Sequence, residues 1–364
     1  MLKGTYMKKT NKYRILILYA EVMEYLLTGI NQFKKDFPES EILLFELDNK
    51  KLTNFQFYTD NFHYKKKSEY NNYKDFLSVC ESFNPSLVLV SGRMDRHYLR
   101  VSRSMKKKGI YTVTLQDTQY NISIRQSIIR TFSLVIYKRY FCGFWGAGSL
   151  QTAFGLSLGF SSDNIFEGVY TANTNVFKYQ KSYKKSDEIG KTIVYVGRFA
   201  EEKNFKLLIS LFIKLNKEFK NIHKLILIGG QESFEYGDQI KSYPFMSSKE
   251  LIEYTKDADI FCLPSKNEPW GVVIHEFSLL GFPLLLSNRC GANTKFLING
   301  FNGYSFDPYD SKDFERNLKK MLNLNSDDLQ QCGIRSNQLG SKHSPQVWAA
   351  TLYSILLKAE DNRL

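Results

Sequence analysis

DIFCLPSKNEPWGVVIHEFSLLGFPLLLSNRCGA, residues Asp259–Ala292, is the most telling segment of this 364-residue chain. The apolar run Ile260–Leu263 ends at Pro264-Ser265 and predicts a strand buried on both faces. A loop carrying Glu268 follows. A helix is expected from near Gly271 to Gly281, because glycine past the last turn supplies a left-handed stop and Pro283 prevents continuation. Leu284–Leu286 then reads as a second buried strand. In such a strand–loop–helix–strand unit the loop lies at the carboxyl edge of a parallel sheet, where ligands bind in open α/β folds. The helix start at Gly271, Val272 and Val273 presents unpaired amides and the positive end of the helix dipole, which suits a phosphate. Glu268 lies just before that start and Glu276 about one and a half turns inside it. Two carboxylates flanking an anion-binding helix suit vicinal hydroxyls, sugar on one side and ribose on the other.

About 70 residues upstream the sequence repeats the logic. Strand Thr192–Val196 ends in Gly197, and Arg198 and Lys203 follow before a helix whose apolar residues at 205, 208, 209, 212, 215 and 219 keep the 3.6 period. Arg offers a planar fork and Lys a point charge to phosphate oxygens. Further along, Leu225–Ile228 reads as a strand closed by Gly229-Gly230, and Ser247–Glu250 as a capping box opening a helix to Asp257.

Strand-like and helix-like segments alternate through the first half as well, which predicts parallel α/β layers. Strands are expected at Arg14–Tyr19, Glu41–Glu46, Leu87–Ser91, Tyr111–Leu115 and Cys142–Ala147. The polar, aperiodic run Phe177–Gly190 suggests a linker. This gives an N-terminal domain over 1–172, a linker over 173–190, a C-terminal domain over 191–344, and a last helix over 345–364 that packs back towards the first domain.

Composition narrows the classes. With 43% hydrophobic and 24% charged residues, the chain can build real cores and is not a disordered or disulfide-framed type. The five cysteines are scattered, with no C-x-x-C, and read as reduced thiols of a cytoplasmic protein. No run is apolar and long enough to span a membrane. The net charge of +13 falls mostly on residues 1–170, which hold a net +9. A basic surface attracts phosphates, nucleic acid or anionic lipid. No helix-turn-helix, zinc finger or RNP-like motif supports nucleic acid as the partner. No G-x-G-x-x-G follows a strand, which disfavours a dinucleotide oxidoreductase.

The Gly197–Lys203 motif G-R-x-x-x-x-K and the E-x7-E of Glu268–Glu276 with Gly281-Phe-Pro283 together resemble GT-B glycosyltransferases of the family 4 (group 1) type. The resemblance is good from Thr192 to Phe306 and looser before it. It implies two Rossmann-like domains facing each other across a cleft. It also implies transfer, with retention and without a metal or cofactor, from a UDP- or GDP-sugar to a saccharide or lipid-linked saccharide, in cell-surface glycan synthesis. Arg198 and Lys203 would neutralise the diphosphate, Glu276 would hold the ribose, and Glu268 would touch the donor sugar. Trp270 and the amides of Gly271–Val273 would line the donor. Phe245 and Met246 would border the nucleobase, although Pro244 stands where glycine is common. The first domain departs from the pattern. Tyr19–Tyr25 contains no glycine, and Gln116 or Asp117 occupies the place of a usual histidine. Asp117 stays open between a group beside the donor sugar and an ordinary loop or cap aspartate. The segment Arg125–Phe141, with Lys65–Lys67 and Lys106–Lys108, is open between a peripheral contact with an anionic membrane and a core helix with a solvated basic side. A GT-B epimerase or phosphorylase remains the alternative of the same architecture, and a basic nucleic-acid-binding protein the non-enzyme one.

Overall fold

The computed structural model describes residues 12–47, 62–93, 95–120, 131–132, 136–179, 181, 183, 190–220, 222–230 and 235–362. They form two compact units. The first comprises Met1–Gly146, Gln151–Tyr170 and Pro345–Leu364, and the second Ala147–Leu150 and Thr171–Ser344.

The first unit holds a parallel sheet of β1 (Arg14–Tyr19), β2 (Glu41–Glu46), β3 (His63–Lys66), β4 (Leu87–Ser91), β5 (Tyr111–Gln116), β6 (Gly143–Gly146) and β7 (Ile165–Glu167). Their spatial order is β3-β2-β1-β4-β5-β6-β7, all paired parallel. The central strands are buried on both faces because helices cover both, so apolar residues run without alternation. The helices are α1 (Glu24–Asp36), α2 (Tyr73–Ser82), α3 (Arg96–Lys107) and α4 (Ser149–Ser157). Asn72 and Asp95 cap α2 and α3, accepting the amides of Asp75 at 3.0 Å and Tyr98 at 2.8 Å. The chain leaves β1 to build β2 and β3 on one side and returns to build β4 on the other. The switch point therefore opens at the ends of β1 and β4, beside β5 and Asp117.

The second unit repeats the plan. Its strands are β8 (Thr192–Val196), β9 (Lys224–Gly230), β10 (Glu235–Tyr236), β11 (Ile240–Pro244), β12 (Ile260–Leu263), β13 (Leu284–Ser287) and β14 (Gly303–Phe306). They lie in the order β10-β11-β9-β8-β12-β13-β14, and only β10 runs antiparallel to its neighbour. The helices are α5 (Phe205–Glu218), α6 (Ser248–Thr255), α7 (Val272–Leu280), α8 (Asn293–Phe296), α9 (Ser311–Leu322) and α10 (Ser326–Ser341). Here the switch point lies between β8 and β12, so the loops carrying Arg198, Lys203 and Glu268 leave neighbouring strands. The capping box at Ser247–Glu250 forms with both bonds in place. Strand β9 runs through Gly229-Gly230 instead of stopping before them.

The last helix, α11 (Pro345–Asp361), belongs to the first unit. Its Trp348 is fully buried, and its indole nitrogen donates to the Val169 carbonyl at 2.8 Å. Gly29 of α1 makes room for it, since a Cβ at that position would lie 2.3 Å from the indole. The expected linker falls partly outside the described residues, at 180, 182 and 184–189. Its described side chains pack on the second unit: the Lys181 ammonium donates to the Lys256 carbonyl at 2.9 Å and the Tyr183 hydroxyl to the Gly281 carbonyl at 3.0 Å. Of the basic segment 125–141, residues 125–130 and 133–135 lie outside the described set.

Candidate active site

Two glycines bring the ends of β8 and β9 together. Gly229, at φ +117°, lies so close that a Cβ there would sit 2.5 Å from the Gly197 carbonyl oxygen. After Gly197 the chain turns outward. The buried Tyr195 hydroxyl donates to the Arg198 carbonyl at 2.8 Å, which fixes the turn. The Arg198 side chain is 77% exposed and meets Glu202 at 3.3 Å. Lys203 points the other way. Its ammonium pairs with the Glu268 carboxylate, and the two side chains are only 12% and 14% exposed. The same two loops are joined through the main chain, where the Lys266 amide donates to the Glu202 carbonyl at 2.8 Å.

The Glu268 loop is held in turn by the loop after β13. The Glu268 amide donates to Arg289, the Gly291 amide donates to Glu268 at 3.0 Å, and the Ala292 amide donates to Trp270 at 3.0 Å. Gly271 then starts α7 at φ +94°, a left-handed conformation open to glycine. A Cβ at Gly271 would lie 3.0 Å from the Glu268 Cγ. No side chain caps α7, so its first amides, beside the half-exposed Val272 and Val273, keep their capacity for an anion. Glu276 is half-buried in the second turn. Gly281, also left-handed at φ +86°, ends the helix.

The structure thus brings Lys203, Glu268 and the Gly271 helix tip to one sheet edge. Phe245, 69% exposed, and the half-buried Met246 follow β11 at that edge, on the far side of β9. The Trp270 side chain is core, 3% exposed and edge-on to Phe296 at 6.1 Å. Its contribution to the loop is its carbonyl and its packing.

Asp117 belongs to the first unit, at the end of β5. Its carboxyl group hydrogen-bonds Tyr170, and its carbonyl accepts from Gln151 at 2.9 Å. Tyr170 also bonds Tyr19, which bonds Tyr25, and the Tyr25 and Tyr170 rings meet edge-on at 4.7 Å. Burial raises the Asp117 pKa, opposed by the bond from Tyr170. Burial likewise pushes the Tyr25 hydroxyl up to about 12. The sequence reading missed these three tyrosines. Their only signal is position: Tyr19 ends a strand, Tyr25 starts a helix, and Tyr170 closes the first unit. Gln116 turns inward, donating to Thr114 at 2.9 Å. Among the described residues no group of three or more His, Cys, Asp or Glu gathers as metal ligands would.

Residues 178–338 match the family of glycosyl transferases group 1. The match falls within the second unit. The chain is 25% identical over 152 residues to a 2-deoxystreptamine N-acetyl-D-glucosaminyltransferase of Niallia circulans, covering 39% of each chain. It is 22% identical over 175 residues to a mannosylfructose-phosphate synthase of Agrobacterium fabrum, covering 43% of this chain and 37% of that one. The matched stretch therefore spans about two fifths of these curated relatives' length. Among solved structures, a glycosyltransferase from Rickettsia africae superposes with a TM-score of 0.72 at 14% identity, covering 97% of this chain and 99% of that one. Anabaena Alr3699/HepE in complex with UDP and glucose gives 0.69 at 12% identity, covering 94% and 98%. At these identities the likeness establishes the fold alone: two Rossmann-like units of the GT-B type.

Proposed function

We propose that the chain is a retaining, metal-independent glycosyltransferase that moves a sugar from a UDP- or GDP-sugar to a saccharide or lipid-linked saccharide acceptor. The observation that carries this reading is the Lys203–Glu268 pair beside the uncapped tip of α7, at the switch point of the second unit. A nucleoside diphosphate is already a good leaving group, so the chemistry needs charge stabilisation as the glycosidic bond breaks more than proton transfer. Lys203 is placed to take the developing negative charge, each charge-assisted bond contributing about 1.5–3 kcal/mol. The α7 amides add about 0.3–1 kcal/mol for an anion at the helix terminus. Arg198, on its exposed stem, swings onto the outer phosphate, and Glu276 accepts the ribose hydroxyls. Glu268 holds Lys203 in the free enzyme and turns to the donor sugar when phosphate takes over the ammonium. Phe245 and Met246 border the base.

The test is calorimetric titration with UDP and GDP, then assay of nucleotide release from matching sugar donors with and without saccharide acceptors. Binding of one nucleotide and acceptor-dependent release are expected. Loss of neither in Lys203→Ala and Glu276→Ala would refute the site. The anomeric configuration of the product, read by NMR, checks retention.

We also propose that the enzyme works on the cytoplasmic face of a membrane, in cell-surface glycan synthesis. Phe132 and Ile136, four residues apart, are 70% and 40% exposed, and Lys138 and Arg139 beside them are exposed cations. That combination suits an anionic interface. No described helix is long and apolar enough to cross a membrane. Co-flotation with anionic but not neutral vesicles, reduced by Phe132→Ser/Ile136→Ser, is expected. Equal flotation of wild type and variant would count against this docking.

A further inference from the structure

His275 lies on α7 one residue before Glu276, and it is 1% exposed. Both ring nitrogens are taken by main-chain groups. Nδ1 accepts the Ala172 amide at 3.0 Å, and Nε2 faces the Gly340 carbonyl at 3.0 Å. A nitrogen that accepts from an amide carries no proton, so Nε2 holds the proton and donates it to Gly340. The ring is neutral. Burial, with His343 beside it, lowers its pKa to about 3.

The two partners stand at the ends of one stretch. The continuous part of the second unit runs from Thr171 to Ser344. Ala172 lies at its entry and Gly340 close to its exit. One imidazole therefore fastens entry and exit to the helix whose tip would hold the diphosphate.

The face of the ring has a further contact. It stacks on Phe296 at 4.5 Å and 7°, and Trp270 meets the same Phe296 edge-on. Trp270 belongs to the loop that carries Glu268. On the other side α10 approaches α7 at backbone distance. A Cβ at Gly340 would lie 3.0 Å from the Ser278 Cβ, and one at Gly333 would lie 2.3 Å from the Gly281 carbonyl oxygen. Such close packing leaves α7 little room to slide against α10.

We propose that His275 is a positioning residue: it locks the rotation of α7, aims Glu276 and the Gly271–Val273 amides at the donor, and couples donor occupancy to the Ala172 and Gly340 segments. This rests on the donor-site reading given above. His275 acts through Glu276 and touches no substrate itself.

Three variants separate its bonds. His275→Phe keeps the stack on Phe296 and loses both hydrogen bonds. His275→Asn keeps an acceptor near Nδ1, and His275→Gln keeps a donor near Nε2. The measurements are donor KM and kcat, and hydrogen exchange over 171–173 and 338–342 with and without the nucleotide (UDP or GDP) that wild type binds. In wild type, nucleotide slows exchange in both segments. In His275→Phe that slowing is lost and donor KM rises about tenfold. His275→Asn restores the slowing at 171–173 alone, and His275→Gln at 338–342 alone. Because the effect runs through Glu276, His275→Phe/Glu276→Ala is no worse than Glu276→Ala. Additive losses in the double variant, or wild-type KM and exchange in a folded His275→Phe, overturn the inference while the donor site stands. A wild-type protein that binds neither nucleotide overturns both.

Discussion

Glu268→Gln and Lys203→Ala break the same contact and are expected to have opposite effects on ligand. The pair is nearly buried, at 12% and 14% side-chain exposure. Removing one partner of a fully buried pair costs about 3–5 kcal/mol, and the residual exposure lowers this to about 2–3 kcal/mol for Lys203→Ala. Glu268→Gln keeps the shape and a weaker hydrogen bond, so it costs about 1–2 kcal/mol. In a unit of about 180 residues, 1 kcal/mol moves Tm by about 2–4 °C, giving losses of roughly 4–12 °C and 2–8 °C. Ligand binding then splits the two. Lys203→Ala lacks the cation and binds nucleoside diphosphate about 10–100 times more weakly. Glu268→Gln releases Lys203 from its carboxylate, so binding holds or tightens by up to about tenfold while turnover falls. Differential scanning fluorimetry and calorimetry on both variants read both quantities. Equal weakening of binding in the two variants would show that the ammonium does not pass from carboxylate to phosphate, and the reasoning fails.

Other expectations can be checked with the same protein. Gly271→Ala puts a side chain at φ +94° and 3.0 Å from the Glu268 Cγ, so it should cost about 1–2 kcal/mol and weaken nucleotide binding, both measured by melting with and without ligand. Asp117→Asn tests the buried carboxyl: its folded pKa lies above the ordinary 3.8, so the stability it contributes is full below that value and is lost as pH rises through the folded pKa. The variant should therefore gain on wild type as pH climbs above about 4, seen in urea midpoints. His223 shows the opposite sign. Burial lowers it to about 4, with Nδ1 accepting the Lys191 amide at 2.9 Å, and His275 is lowered to about 3. Stability is full above about 6.5 and falls on acidification by up to about 1.4 kcal/mol per pH unit for each histidine. His223→Leu should flatten part of that slope between pH 6.5 and 4, and an unchanged slope would show that His223 is not its source.

The elements around α7 were legible because their signals are local. Glycines at 271 and 281 bracket the helix and both adopt left-handed conformations, and the box at Ser247–Glu250 closes on neighbours three residues apart. Short apolar runs at Ile260–Leu263 and Thr192–Val196 emerge as strands with the expected bounds. The strand expected at Cys142–Ala147 narrows to Gly143–Gly146. Caps, periods and stops depend on residues within a turn of one another, and any reader of the chain has them in hand.

Pairings across the sheet order were not legible. Nothing in the sequence tells Lys203 from Arg198, two cations on one loop. Only the adjacency of β8 and β12 turns the first inward to Glu268 and leaves the second in solvent. Trp270 looks like a donor contact in sequence and is core in the fold, because Phe296 arrives under it from a later helix. His275 reads as one more residue of an apolar helix, yet its bonds reach Ala172 and Gly340, more than sixty positions away on either side. The sequence by itself determined the alternation of strand and helix, the helix ends and the phosphate-suited loops. Tertiary structure decided which side chains share a site, since bringing such distant residues together depends on strand order and burial, which no local window of residues contains.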